Sequence, residues 1–340
     1  MKDQRKTLVH EVLGHYDVSP RYAAAYLDFF LSEQDRHINS LQEINELDSP
    51  RPMWFDYAMS TNWRGRELFR SVAPHIPHGA QSYLDIGCGF GGSLVAFREQ
   101  GMEVRGIEID QLRVELASVN CVDHDIVDGV FYGDILDDTL VETLNGKHDV
   151  ITMIDVIEHV LDVPTALTHA VRLLSENGIV VFEIPNKNSV NHVGSDGHFN
   201  LFGITLLGRM DANEYFSHFF QHEYDVGYYY DLPYYINTLQ QLGCECELIQ
   251  SSIHPIRSSS LRAICGVVQE FRKNRDRYCQ YRSQINRELQ KKIEVAWQQY
   301  LTGFSGEYLR QAFLPSKYQN HFQTKYLIDF WTLIAKKAKS

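Results

Sequence analysis

Up to about residue 80 the apolar positions recur at helical spacing. In RYAAAYLDFFLSEQ the side chains of Tyr22, Tyr26, Phe29 and Phe30 fall on one face. Asp48, Pro50 and Pro52 interrupt the pattern. A second helical run, WRGRELFRSVAPHI, follows and ends at Pro77 and Gly79. From Ser82 the texture changes. Short apolar runs, SYLDIG, EVRGIEI, GVFYGD, DVITMI and IVVFEIP, alternate with helical patterns in GGSLVAFREQG, DQLRVELASVN, ILDDTLVETLNG and VPTALTHAVRLLSENG. Strands that alternate with helices through short connections predict a parallel sheet covered on both faces.

Beyond the fifth predicted strand the regularity lapses. Residues 187–230, rich in His, Phe, Tyr and Gly, read as a long cover segment, and loops of this length in a compact domain are usually functional. DLPYYINTLQQLG then predicts a helix and CECELIQSSI a sixth strand. Leu261, Ile264, Val268, Phe271, Tyr278, Ile285, Leu289, Ile293 and Trp297 make a helical stripe, and KYLIDFWTLIAKK suits a final strand. The expected organisation is a helical cap over 1–80, a core over 81–254, a helical insertion over 255–320 and the last strand of the core sheet within 321–340.

Composition narrows the function. With 44% hydrophobic residues the chain can bury a core, and a net charge of −12 disfavours binding nucleic acid through bulk electrostatics. Residues 271–292 carry a local basic excess, read as a solvated helix face. The six cysteines contain no C-x-x-C pair, which argues against structural zinc and fits a reducing, cytoplasmic setting. No apolar run approaches the roughly 18 residues of a membrane span.

The chemistry concentrates in YLDIGCGFGGSLVAF. Gly87, Gly89 and Gly92 spell G-x-G-x-x-G, the dinucleotide pattern. Asp85, Gly87, Gly89 and Gly91 spell D-x-G-x-G-x-G. Pyrophosphate is an anion and binds bare N–H groups at a helix N-terminus. A carboxylate two residues before the first glycine repels it and suits a cation instead. Glu108 ends the second predicted strand and Asp134 the third, so three acids stand at successive strand ends, where ligands of open α/β sheets bind.

With these segments, HDVITMIDVIEHV and LLSENGIVVFEIPN in order, the chain resembles the class I methyltransferases that use S-adenosylmethionine (SAM), over about residues 55–254 plus the last strand. The resemblance implies a Rossmann-like α/β sheet of seven strands in the order 3-2-1-4-5-7-6. It implies that Asp85, Gly87 and Gly89, with Cys88 and Gly91 of the same turn, meet the methionine end of SAM. Glu108 and Ile109 then meet the ribose, Asp134 and Ile135 the adenine, and Asp155 and Val156 the sulfonium.

Methyl transfer needs alignment, exclusion of water and, for a hydroxyl acceptor, removal of a proton. In DVIEH, Asp155, Glu158 and His159 are spaced to share one side of a helical turn. The element resembles the E-x-x-E-H of ubiquinone-pathway O-methyltransferases and of small-RNA 2′-O-methyltransferases. That likeness implies a divalent cation such as Mg2+ on Asp155, Glu158, His159 and a distal histidine, His198 or His192. The open alternatives are His159 as a direct base, and an EH pair that only packs and caps. The expected acceptor is a small-molecule or glycan-like hydroxyl; RNA and a non-catalytic SAM-fold interaction module are the rivals.

Overall fold

The computed structural model describes residues 2–35, 37–48, 50–144, 147–254 and 256–337. The expected helix end at 145–146 and the chain's last three residues lie outside the described residues. The chain opens with α1 (Lys2–His15), α2 (Pro20–Phe30), α3 (Leu41–Asn45), α4 (Arg51–Met59) and α5 (Thr61–Val72). The starts of these helices are written locally. The Ser19 hydroxyl accepts from the Tyr22 N–H ahead of Pro20, and Ser40 with Glu43 forms a reciprocal capping box on α3.

The alternating region builds β1 (Ser82–Ile86), α6 (Gly92–Arg98), β2 (Glu103–Glu108), α7 (Gln111–Val122), β3 (Val130–Tyr132), α8 (Asp138–Thr143), β4 (His148–Ile154), α9 (Val163–Arg172) and β5 (Leu174–Pro185). Then come α10 (Val190–Gly194), α11 (Arg209–Ser217), α12 (Leu232–Gln241), β6 (Cys244–Ile249), α13 (Leu261–Tyr281), α14 (Arg287–Phe313), α15 (Pro315–Phe322) and β7 (Phe330–Lys337). The sheet order is β3-β2-β1-β4-β5-β7-β6. Pairings among β1 to β5 are parallel, and β7 runs antiparallel to both β5 and β6. The strand order reverses between β1 and β4, so a crevice opens beyond their carboxyl ends.

The two faces of the sheet have different tenants. Leu84, Ile86, Ile151, Met153, Val180, Phe182 and Leu333 pack with residues of α9 and α12. Tyr83, Val150, Ile179, Val181 and Ile334 pack on the other side with Leu68 and Val72 of α5 and Leu94 and Phe97 of α6. A separate aromatic core joins the segment after β5 to the long helices. Phe199, Phe202, Phe216 and Tyr224 pack with Phe271 and Tyr278 of α13 and Trp297, Tyr300 and Phe304 of α14.

Several details depart from the sequence reading. The cover segment is partly helical, in α10 and α11. β7 starts only at Phe330, because Tyr326 and Leu327 are turned into the aromatic core by the wide helical turn Gln323–Leu327. Leu261 and Val268 lie on the exposed side of α13, and Val267 takes the buried place beside Ile264 and Phe271. Among the described residues no helix is long and apolar enough to cross a membrane.

Candidate active site

The glycine turn after β1 is shaped by close approach. Gly87 has φ +73°, and a Cβ there would lie 2.3 Å from a methyl of Val156, so the turn can rest on the end of β4 only without a side chain. Gly92 serves a different neighbour. A Cβ on Gly92 would lie 2.1 Å from the Thr61 carbonyl oxygen, and one on Gly65 would lie 2.2 Å from the Gly92 carbonyl oxygen. The third glycine of the apparent dinucleotide pattern thus lets α5 lie backbone to backbone on α6.

Asp85 is buried, lines the cavity under this turn, and accepts a hydrogen bond from the Thr152 hydroxyl at 2.7 Å. Burial pushes its carboxyl up to about 7 even though the Thr152 and Ser93 hydroxyls act against it; Glu108 adds to the rise. Glu108 is also buried. Its two oxygens accept from the Gly89 N–H at 2.8 Å and the Asp110 N–H at 3.0 Å, so it ties the end of β2 to the glycine turn. Asp134 accepts from the Leu136 N–H and shapes the turn after β3. Ile109 is exposed beyond β2, and Ile135 and Cys88 are buried in the two cores.

These residues suit a cationic, flat-ended ligand. A side chain at Gly89 would meet nothing within 4 Å, so the backbone there faces open space. Among the described residues no cation lies on the buried Asp85 carboxylate, and one oxygen of Asp155 is buried without a hydrogen-bond partner. The cavity also holds one guanidinium, that of Arg64, which complements a zwitterion's carboxylate.

Asp155 sits just past β4 with φ +53°, an uncommon backbone state for a non-glycine residue and one that clusters at functional sites. Its carboxylate accepts from Arg64 Nη2 at 2.9 Å and from the Tyr57 hydroxyl at 3.2 Å, and the Arg64 guanidinium lies 4.2 Å from the Tyr57 ring centre. The helical cap therefore reaches the end of β4 directly.

Glu158, His159 and His198 converge, with one donor atom of each within 4.8 Å of the others. Glu158 is buried, and among the described residues neither of its oxygens has a hydrogen-bond partner; burial, then the charge of Asp155, pushes it up to about 8. His159 Nδ1 lies 3.2 Å from the Asp225 carbonyl oxygen and His198 Nδ1 lies 3.1 Å from that of Asp196. Carbonyls only accept, so both Nδ1 atoms carry the proton and both Nε2 atoms keep a free lone pair. This is the arrangement of metal-binding imidazoles.

Two expectations about this group need correction. Asp155 does not join it, since Arg64 and Tyr57 draw its carboxylate toward the cap. His192 does not join it either. Its Nδ1 donates to the Asn186 carbonyl, its ring packs edge-on against Phe330, and burial pulls it down to about 4. The donor set of one carboxylate and two imidazoles also fits Mg2+ poorly, because that ion takes oxygen ligands.

Two further residues enter the site that the sequence analysis did not single out, Arg64 from the helical cap and Glu183. Glu183 is buried in β5 and lines the same cavity as Asp85. An acid inside the apolar run VVFEIP was the available signal.

A sheet of this order, with a glycine turn and buried acids at its switch point, defines the class I SAM-dependent methyltransferase fold. The chain belongs to that family: the family model described as "Methyltransferase domain" matches residues 17–249. The chain is 29% identical over 154 residues to the ubiquinone biosynthesis O-methyltransferase of Psychrobacter arcticus, covering 45% of this chain and 58% of that one. To the enzyme of the same name from Pseudomonas aeruginosa it is 30% identical over 105 residues, covering 31% and 44%. It thus spans about half the length of the curated relatives it matches. Among solved structures it is similar to a SAM-dependent methyltransferase from Archaeoglobus fulgidus, with 14% identity, a TM-score of 0.44, and coverage of 84% of this chain and 98% of the other.

Proposed function

We propose that the chain transfers the methyl group of SAM to an oxygen atom of a small-molecule or glycan-like acceptor, beside a divalent metal held by Glu158, His159 and His198. The observation that carries this reading is the meeting of a buried carboxylate, without a hydrogen-bond partner among the described residues, with two imidazoles whose Nδ1 atoms are held by backbone carbonyls. Bound SAM supplies an electrophilic methyl carbon on a cationic sulfur. A metal at this donor set would lower the pKa of an acceptor hydroxyl, and Mn2+ suits the mixed nitrogen and oxygen donors better than Mg2+. The names of the relatives, O-methyltransferases, favour oxygen as the acceptor atom.

In this reading Asp85 and Asp155 face the cationic part of SAM, Arg64 its carboxylate, and Glu108, Ile109, Asp134 and Ile135 the nucleoside. Gly87, Cys88, Gly89 and Gly91 form the turn beneath it, with Val156 behind. Arg64 leaves Asp155 to engage the ligand. Residues 187–230 and the helices 261–322 serve as the acceptor wall that carries His198.

The test is methyl-labelled SAM offered with separate panels of phenols, sugars, amines and short RNAs. Label on a hydroxyl of a small acceptor supports the reading, and label only on nitrogen or on RNA contradicts it. Glu158→Ala is expected to lose Mn2+ binding in calorimetry while keeping affinity for S-adenosylhomocysteine (SAH). Unchanged Mn2+ affinity would remove the metal from the account.

A further inference from the structure

Glu183 and His254 lie outside the metal-binding group; Glu183 lines the crevice, and His254 follows Ile253, which lines it too. Glu183 stands in register with Ile154 of β4, the residue before Asp155, and with Thr332 of β7. It lines the cavity under the glycine turn together with Asp85, Gly87 and Arg64. A buried carboxylate in the middle of a sheet is costly unless it is paired. Its partner comes from the loop after β6, where His254 Nε2 lies 3.2 Å from Glu183 Oε1. The imidazole stacks on Phe330 at 4.3 Å and 30°, so its plane is fixed from the opposite side. The contact is an ion pair rather than an aligned hydrogen bond; a proton on Nε2 faces the carboxylate and leaves the lone pair on Nδ1.

We infer that His254, oriented by Glu183, is the general base that removes the proton from the acceptor hydroxyl. This rests on the oxygen-methylation reading above. In the step, His254 Nδ1 takes the hydroxyl proton and the oxygen forms its bond to the methyl carbon. The carbon–sulfur bond breaks, its electron pair stays on sulfur, and neutral SAH leaves; the imidazolium later returns its proton to water. Glu183 stabilises the imidazolium and selects the reactive tautomer, so it is a positioning residue.

The charged surroundings agree with this role. Burial alone lowers the affinity of His254 for a proton. The close contact with Glu183 and its charge, then the charge of Asp155, outweigh it, Arg64 opposes them, and the net direction is upward. His192 lies on another side of Phe330 and feels the charge of His254. The metal-binding Glu158 also feels Glu183, which links the two groups electrostatically.

The experiment uses the full chain, with catechol, which stays un-ionised in this range, as a hydroxyl probe and SAM as donor, from pH 5.5 to 8.5. With SAM saturating, so that Asp85 is held ionised, the wild-type kcat/KM for the acceptor is expected to rise with pH along a single-proton limb. His254→Gln is expected to lose about 100-fold or more of the rate and to lose that limb, with SAH affinity within about threefold of wild type. Glu183→Gln is expected to lose less and to shift the limb to lower pH, because the imidazolium loses its counter-charge. A His254→Gln chain that keeps its limb and its rate overturns the proposal. Nitrogen-15 spectra of the imidazole in the SAH complex give a second readout, independent of turnover. The proposal expects a proton on Nε2 and a downward pKa shift in Glu183→Gln, and an unmoved pKa overturns the pairing. If the wild type binds SAH but methylates neither this probe nor any other hydroxyl, it is the oxygen reading that fails.

Discussion

The binding of SAH should depend on pH through Asp85, and the size of the effect follows from the burial of that carboxylate. In the free chain Asp85 titrates at about 7, raised by desolvation. The ammonium of SAH prefers the ionised form, so below that pH binding must first displace a proton. With a pKa of about 7, the affinity is reduced roughly elevenfold at pH 6 and only about 1.1-fold at pH 8, a tenfold difference. Calorimetry at pH 6 in buffers of different ionisation enthalpy should show release of about 0.9 proton per SAH bound.

The linked effect on stability has the opposite sense. A carboxylate with a raised folded pKa favours the folded chain below the unfolded pKa and loses that benefit as pH rises through about 7. Asp85→Asn should therefore stabilise the ligand-free chain at pH 8, by up to about 4 kcal/mol, while it weakens SAH and abolishes the proton release. An SAH affinity that is flat between pH 6 and 8 in the wild type, or an Asp85→Asn chain less stable than wild type at pH 8, would refute the reasoning.

Three further outcomes are expected. Gly92→Ala puts a methyl group 2.1 Å from a backbone oxygen on a neighbouring helix, where no side chain can yield; denaturant unfolding should show a loss of about 3 kcal/mol or more. Arg64→Ala should weaken SAH by about tenfold or more in calorimetry, since a charge-assisted hydrogen bond to the ligand carboxylate is worth about 1.5–3 kcal/mol. Trp297→Ala should cost about 3–5 kcal/mol of stability. Because Trp297 packs at 5.0 Å against Phe202, four residues after His198, it should also weaken Mn2+ more than it weakens SAH.

The sheet was readable because its information is local. The first four strands each end at an acid or a glycine turn, the helices between them have their period, and the final aromatic run has the composition of a strand. The site was only partly readable because it is assembled over long separations. Asp155, Glu158 and His159 looked like one group from their spacing. Yet Arg64, 91 residues before Asp155, takes that carboxylate away, and nothing near residue 155 announces this. His198 was one of two distal candidates, and the choice between them depends on which carbonyl each ring meets. Glu183 and His254 are brought together by β7, which enters the sheet between β5 and β6, so no local pattern pairs them. The role of Gly92 was also invisible, because the chain that crosses it belongs to the helical cap.

The most direct test of the acidic crevice is a crystal structure of the chain with SAH. The account predicts the nucleoside between Glu108 and Asp134, and the homocysteine end over Gly87 and Gly89 with its ammonium near Asp85 and its carboxylate on Arg64. SAH bound elsewhere, or bound with Asp85 and Glu108 turned away from it, would contradict the account.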